Sequence, residues 1–320
     1  MISLIATVKN EKDNLSSWFA SFANQTKRPD EIVIVDGGST DGTWKWLQEM
    51  ASKFTYLRVF QKKGNISVGR NKAIFEAQGD IIVVADAGCV YDREWFMEIT
   101  SPFEEGFNFV TTAFKPFFKR EHTLIHYLIA TSTVPRKEEF TKNWLASSRS
   151  VAFTKKLWQI VGGYPEWLPI CEDVVFDLKI SQKQAQIAYI RQTLVSWAPR
   201  SSLRAYLKQL YLYTKGDGHA KLFFGRQVIR YLVYFSSIFL LVLGSVNSYY
   251  WFGILFLGMI VYLKKFYLRF FSFSQDLNFG KKILGILVLP FVIVMGDIFK
   301  MLGWPVGVFE RLTGDIKFQL

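Results

Sequence analysis

The sequence predicts an α/β domain with a mostly parallel sheet flanked by helices, followed by an α-helical region suited to a membrane. Three observations carry this expectation. Short apolar runs alternate with helical periodicity over residues 3–86, two of those runs end in an aspartate, and long apolar stretches begin after Val228. Alternating strands and helices imply βαβ units and a parallel sheet.

Ser3 to Val8 is an apolar run of strand length, and Asp13 to Ala23 has helical periodicity through Leu15, Trp18, Phe19 and Phe22. Glu31 to Val35 reads as a second strand ending at Asp36, DGGSTDGT as a turn, and Thr43 to Phe54 as a helix. Leu57 to Phe60 is a third strand, Val68 to Glu76 a helix, and Asp80 to Ala85 a fourth strand that delivers Asp86. Ligands of such sheets bind beyond the carboxyl ends of the strands, so Asp36 and Asp86 are expected at one crevice. Each alone is an ordinary turn or cap residue. Together they read as a site, because glycines follow both and let the backbone approach a ligand, among them Gly37, Gly38 and Gly42.

The C-terminal third is different in kind. Ile229 to Val246 is about as long as the roughly 20 residues that cross a bilayer, and Asn247 and Ser248 form a turn before Tyr249 to Leu263. A third run, Ile283 to Met301, carries Pro290 and Asp297; either it crosses, making two to three spans, or it lies partly along the surface. Asp297 is placed to pair with Lys300 or to face a polar cavity. Arg226, Arg230, Lys264, Lys265, Arg269, Lys281 and Lys282 fall on one side of a helical hairpin, the last five in the loop before the third run. The positive-inside rule makes that side cytoplasmic, together with residues 1–220. No secretory signal opens the sequence, and two distant cysteines, Cys89 and Cys171, suggest a reducing compartment. The net charge of +12 over 320 residues points to anionic membrane lipid rather than nucleic acid; oligomeric state is left open.

Four segments together resemble a known family. TVKNEKDNL (Thr7 to Leu15), IVDGGSTDGT (Ile34 to Thr43), VGRNKA (Val68 to Ala73) and VADAG (Val84 to Gly88) are similar to the signature of family-2 glycosyltransferases with a GT-A fold. SSRSVAFTKKLWQIVGGYPE (Ser147 to Glu166) and CEDVVFDLK (Cys171 to Lys179) resemble the acceptor-side half with its E-D pair. WAPRSSLRAYLKQLYLYTKGDG (Trp197 to Gly218) resembles the segment that precedes membrane helices in polymer- and lipid-linked members. The resemblance covers residues 1–220, and residues 221–320 form the expected membrane region.

The resemblance implies a nucleotide-sugar-binding domain and roles for particular residues. Thr7, Asn10 and Glu11 border the base or ribose, Asp36 accepts hydrogen bonds from the base, and Gly37 follows it. Arg70 lies near the diphosphate or ribose, Asp86 by a divalent ion, Mg or Mn, with Ala87 beside it among the donor-binding residues, and Asp173 is the general base with Glu172 orienting it or touching the acceptor. Family members often have a second acid where Gly88 stands. Magnesium takes only one or two protein carboxylates beside substrate phosphates, so Asp86 is expected either to be the sole direct acid ligand or to act through water. Arg200, Arg204, Lys208 and Lys215 follow the catalytic half as candidate phosphate contacts, and Gln209 stands in a similar setting. Leu203, Tyr206, Leu207 and Leu210 form the apolar stripe of an amphipathic interface helix at about 200–215, and KGDG (Lys215 to Gly218) reads as a flexible joint. His122 and His126, four apart, are weak candidates for metal, and His219 for function.

The expected activity is membrane-bound, inverting glycosyl transfer at the cytoplasmic face, from a nucleotide-diphosphate sugar (UDP-sugar favoured) to a lipid-linked or saccharide acceptor. The alternatives are a polyprenyl-phosphate sugar synthase and a catalytically degenerate sugar-nucleotide-binding or scaffold subunit.

Overall fold

In the computed structural model the described residues are 1–141 and 144–314, so the last six residues of the expected membrane region lie outside them. The described residues fold as two compact units, 1–117 with 137–198, and 118–136 with 199–314.

The first unit is one eight-stranded sheet: β1 Ile2–Val8, β2 Glu31–Asp36, β3 Leu57–Gln61, β4 Ile81–Ala85, β5 Cys89–Tyr91, β6 Phe109–Pro116, β7 Ser150–Thr154 and β8 Ile187–Trp197, in the order β3-β2-β1-β4-β7-β6-β8-β5. Its helices are α1 Lys12–Ala23, α2 Thr43–Ala51, α3 Ile66–Glu76, α4 Trp95–Thr100, α6 Lys155–Val161 and α7 Glu172–Gln182. The β1 to β4 half is parallel, as the alternation predicts. The rest is mixed: β7 runs antiparallel to both β4 and β6, and β5 antiparallel to β8. The chain enters β7 beside the carboxyl end of β4, with Ala85 opposite Ser150, and this sets the reversal. Isoleucines, valines and aromatics of β1, β2, β4 and β7 meet α3 and α7 in a core that includes Ile5, Val33, Val84, Phe153, Tyr164 and Phe176. Helix α2 ends three residues earlier than its periodicity suggests. Helix α3 starts two earlier, at the cap where the Asn65 side chain accepts the Val68 N–H at 3.1 Å.

The second unit is helical: α5 Leu124–Thr133, α8 Leu203–His219, α9 Phe224–Val246, α10 Tyr250–Phe273 and α11 Phe279–Thr313. Its core joins Tyr127, Leu128, Tyr206, Leu210, Phe270 and Leu289. Helices α9, α10 and α11 are long and apolar enough to cross a membrane. Three expectations are corrected here. The expected boundary near 220 gives way, because α5 and α8, assigned by sequence to the first domain, pack their apolar faces among these long helices. The basic residues Lys264, Lys265 and Arg269 lie inside α10, not in a loop, and only residues 274–278 separate α10 from α11. KGDG is no joint but the buried end of α8: a side chain at Gly218 would run into the Trp304 carbonyl of α11. His122 and His126 stack at 4.2 Å; His126 Nδ1 accepts the Thr123 N–H in the cap of α5, and His122 Nδ1 accepts the Lys119 N–H in the preceding turn.

Candidate active site

Register places Val8, Asp36 and Gln61 side by side at the carboxyl ends of β1, β2 and β3. The two loops that follow β1 and β2 are knitted together. The Asn10 N–H donates to Ser39 Oγ at 2.8 Å, Thr40 N–H to Asn10 Oδ1 at 2.9 Å, and Glu11 N–H to Thr43 Oγ1 at 3.0 Å. Asn10 takes the left-handed conformation at φ 58°, a strain these cross-links sustain. Asp36 is fully buried. Its carboxylate accepts the Gln61 amide at 2.8 Å, the N–H groups of Gly38 and Ser39, and the Ser39 hydroxyl. The acid that ends β2 therefore folds its own glycine turn. Thr7 packs against α3 where only glycine fits: a Cβ at Gly69 would lie 2.8 Å from the Thr7 methyl.

Arg70 is the centre of the site. Its buried guanidinium donates from Nη1 to Glu172 Oε1 at 2.6 Å and from Nη2 to Asp86 Oδ1 at 3.1 Å, so one cation of α3 joins the acid after β4 to the acid that starts α7. Its plane lies over the Tyr164 ring at 5.3 Å. Burial works against the charge on Arg70, but Asp86 and Glu172 more than offset it and hold the cation above its ordinary range. Glu172 is pushed up to about 7, chiefly by burial and further by Asp173, with Arg70 opposing. Asp173 is half-buried, and its Oδ1 accepts the Val174 N–H at 2.9 Å. The Asp86 side chain is 32% exposed, and beside it Gly88 faces open space: a Cβ there would meet nothing within 4 Å.

Several supporting residues escape sequence reasoning. Trp18, read only as part of an apolar stripe, donates its indole N–H to the Asp86 carbonyl at 3.0 Å. The Tyr91 hydroxyl accepts the Asp86 N–H at 2.8 Å and lies 3.0 Å from the Arg149 carbonyl. Asn71 holds the GGYPE loop: its amide donates to the Tyr164 carbonyl at 2.8 Å, while its oxygen accepts the Tyr164 N–H at 2.9 Å and the Trp158 indole at 3.1 Å. Adjacent Arg70 and Asn71 thus serve the two halves of the domain, and the R-N dipeptide was the available signal. Asp177, one turn after Asp173, is buried, accepts the Ala146 N–H at 2.9 Å, and is pushed up to about 6 by burial. The Cys89 thiol is pushed up to about 12 by burial, and Cys171 is buried too, as expected of small apolar residues.

The phosphate candidates belong to the second unit. Gln209 is buried there, accepting Arg200 Nε at 3.2 Å and donating to the Tyr213 hydroxyl at 2.6 Å, while Lys208 is exposed. Lys215 pairs with Glu310 at 2.5 Å, and His219 Nε2 lies 2.8 Å from the same carboxylate. Among the described residues no three His, Cys, Asp or Glu side chains group to hold a metal ion. Asp86 offers one partly exposed carboxylate. That suits an ion whose other ligands are water and phosphate, not a cage built by protein alone.

Residues 3–156 match the family model described as Glycosyl transferase family 2. The cholesterol galactosyltransferase of Borreliella burgdorferi is 31% identical over 86 residues, 27% of this chain and 24% of that protein. The O-antigen chain rhamnosyltransferase WbaN of Salmonella anatum is 24% identical over 208 residues, 60% of this chain and 65% of that protein. The chain thus spans less than two thirds of the length of either relative. The mannosyltransferase PcManGT from Pyrobaculum calidifontis, solved in complex with GDP-Man and Mn2+, superposes with a TM-score of 0.55 at 16% identity, over 97% of this chain and 86% of that one, a likeness of fold. The mixed sheet flanked by helices gives this chain the GT-A fold, and within it residues 3–156 match the model of glycosyl transferase family 2.

Proposed function

We propose that the protein is a membrane-bound, inverting glycosyltransferase. It moves a sugar from a nucleotide-diphosphate donor, UDP-sugar favoured, to a lipid-linked or saccharide acceptor at the cytoplasmic face. The observation that carries this reading is the Arg70 bridge, which ties Asp86 on the donor side to Glu172 of the acceptor-side acid pair within one unit.

The donor's base and ribose lie against the loops of Thr7, Asn10, Glu11 and Asp36, where a base N–H takes the place of the Gln61 amide on the Asp36 carboxylate. A hydrogen bond to an ionised acceptor is the stronger kind and favours one base over another. Asp173 takes the proton of the acceptor hydroxyl, the oxygen attacks the anomeric carbon from the face opposite the diphosphate, and the bond to the diphosphate breaks. One displacement inverts the configuration. Arg70 keeps Glu172 oriented beside the base, and its charge faces the departing diphosphate. A divalent ion held by Asp86 and the donor's phosphates would supply further positive charge to that leaving group. The apolar helices hold the enzyme at the bilayer, which concentrates a lipid-linked acceptor.

A thermal-shift panel of UDP-, GDP- and dTDP-sugars, with and without Mn2+ or Mg2+, tests this. Bound ligand raises apparent stability by about 2.7 kcal/mol at 100 times its Kd. A shift with one nucleotide class, enhanced by the ion and lost in Asp86→Ala, is expected. No shift with any nucleotide sugar would refute the reading.

A further inference from the structure

By length and composition α11 is a third span, yet its contacts within the helical unit run across the hairpin of α9 and α10, not along it. The hairpin is antiparallel: Gly244 near the end of α9 packs on Phe252 near the start of α10, beside the turn at Asn247 and Ser248. Height above that turn follows from a rise of about 1.5 Å per residue. Tyr267 of α10, which donates to the Ile286 carbonyl at 3.1 Å, is about 26 Å from the turn. Tyr231 of α9, which donates to the Met301 carbonyl at 2.6 Å, is about 22 Å from it. Between Ile286 and Met301 α11 travels about 22 Å, while its height on the hairpin changes by about 4 Å. Tyr234 and Tyr262, both about 18 Å from the turn, reach Asp297 between those points from opposite helices. Further out, Gly285 of α11 packs on Phe270, late in α10, and Trp304 donates to the Leu222 carbonyl, just before α9 begins. Both ends of α11 therefore meet the same end of the hairpin, which no third crossing beside α9 and α10 would do.

Helix α8 runs alongside α11 in the same direction. Side chains added at Gly303 and Gly307 would run into the backbone carbonyls of Tyr211 and Lys215, and one at Gly296 into the Tyr206 hydroxyl, so the two helices are in close contact along about three turns. The outward face of α11 is an uninterrupted apolar stripe: Leu284, Leu287, Phe291, Ile298, Leu302 and Phe309 are all exposed. Helices α9 and α10 carry exposed apolar residues too, such as Leu232, Phe235 and Phe239 on α9 and Leu257 and Val261 on α10. A stripe of this kind on a helix lying crosswise to a hairpin fits the acyl chains of one leaflet.

We infer that α11 does not cross the bilayer but lies in the leaflet at the basic end of the α9–α10 hairpin, side by side with α8, its apolar stripe against lipid acyl chains. The enzyme then has two crossings, and the end of α11 returns to the side from which α9 departs. The inference rests on the membrane reading above, and the experiment separates the two. Single cysteines at Lys53, Ser248 and Thr313, in a chain with Cys89 and Cys171 replaced by alanine, are labelled with an impermeant maleimide in sealed vesicles of known orientation. Lys53→Cys and Thr313→Cys should label from one side and Ser248→Cys from the other. Thr313→Cys labelling together with Ser248→Cys would overturn the inference and leave the membrane reading standing, whereas Ser248→Cys labelling together with Lys53→Cys would sink both. Depth gives a second readout. Nitroxides on Phe291→Cys and Leu302→Cys, both on the stripe, should report immersion equal within about 4 Å. A spanning helix would separate them by about 16 Å and would refute the proposal.

Discussion

Each unit of the protein buries one charge between two of the opposite sign, and the two arrangements differ in a way that separates chemistry from architecture. In the first, Arg70 lies between Asp86 and Glu172; one of those acids is 32% exposed and borders open space at Gly88. In the second, Asp297 of α11 lies between Arg230 at 3.6 Å and Lys300 at 3.1 Å, and both tyrosines close over it, so its oxygens are saturated from three helices. An ion pair that leaves one partner accessible can exchange it for substrate charge. One that is closed on all sides can only fix how helices meet. The pairing of Asp297 with Lys300 follows the sequence expectation, and Arg230 joins it from α9.

The largest effects come from breaking each centre. Removing one preorganised donor from a reacting centre costs about 10²–10³-fold in rate, and removing one partner of a buried ion pair costs about 3–5 kcal/mol of stability. Arg70→Ala should therefore lower transfer by at least about 100-fold in an initial-rate assay. Asp297→Ala should lower the melting temperature in detergent while the folded fraction keeps wild-type specific activity. The reverse pattern would invert the comparison. Next comes the glycine seam of the helical unit. Overpacking costs about 1–3 kcal/mol, and Gly303→Leu, set against the Tyr211 carbonyl, belongs at the upper end, measured as lost thermal stability.

The pH dependence sharpens the contrast. Glu172 in the folded unit is pushed up to about 7 from an ordinary 4.5, so the unfolded chain gives up this proton at lower pH than the native one. Stability from this group is then fully present below about 4.5 and lost as pH rises to about 7. Transfer needs the charged, Arg70-paired form and should climb over the limb near pH 7. Glu172→Gln should flatten both limbs, and a pH-rate profile with wild-type shape would contradict the assignment. The smallest expected effects are at two glycines. Gly163 has φ +72° and a Cβ there would sit 2.9 Å from Asn71 Oδ1, so Gly163→Ala should cost about 1–3 kcal/mol. Gly88→Ala meets nothing and should stay within about 0.5 kcal/mol.

The legible part of this molecule was its periodic part. Strand-length runs alternating with helices exposed β1 to β4, and the aspartates that end β2 and follow β4 marked the candidate site. What Arg70 does was not legible, because its two partners lie 16 and 102 residues away and only folding joins them. Trp18 and Tyr91 were hidden because an aromatic ring in an apolar stripe looks like core, and its polar tip leaves no trace in hydropathy. The extent of α10 was missed because hydropathy drops at Lys264 and Lys265, while long cationic side chains let the helix continue. Helix α5 looked like part of the sheet domain because packing partners far along the chain decide its place.

In the proposed reaction Asp173 removes the acceptor proton beside the ion pairs of Arg70. The most direct test is transfer by Asp173→Asn, with donor affinity measured on the same preparation. A general base contributes about 10²–10⁴-fold, so transfer to a hydroxyl acceptor should fall by that factor with donor Kd unchanged. Transfer by Asp173→Asn at the wild-type rate would contradict the account.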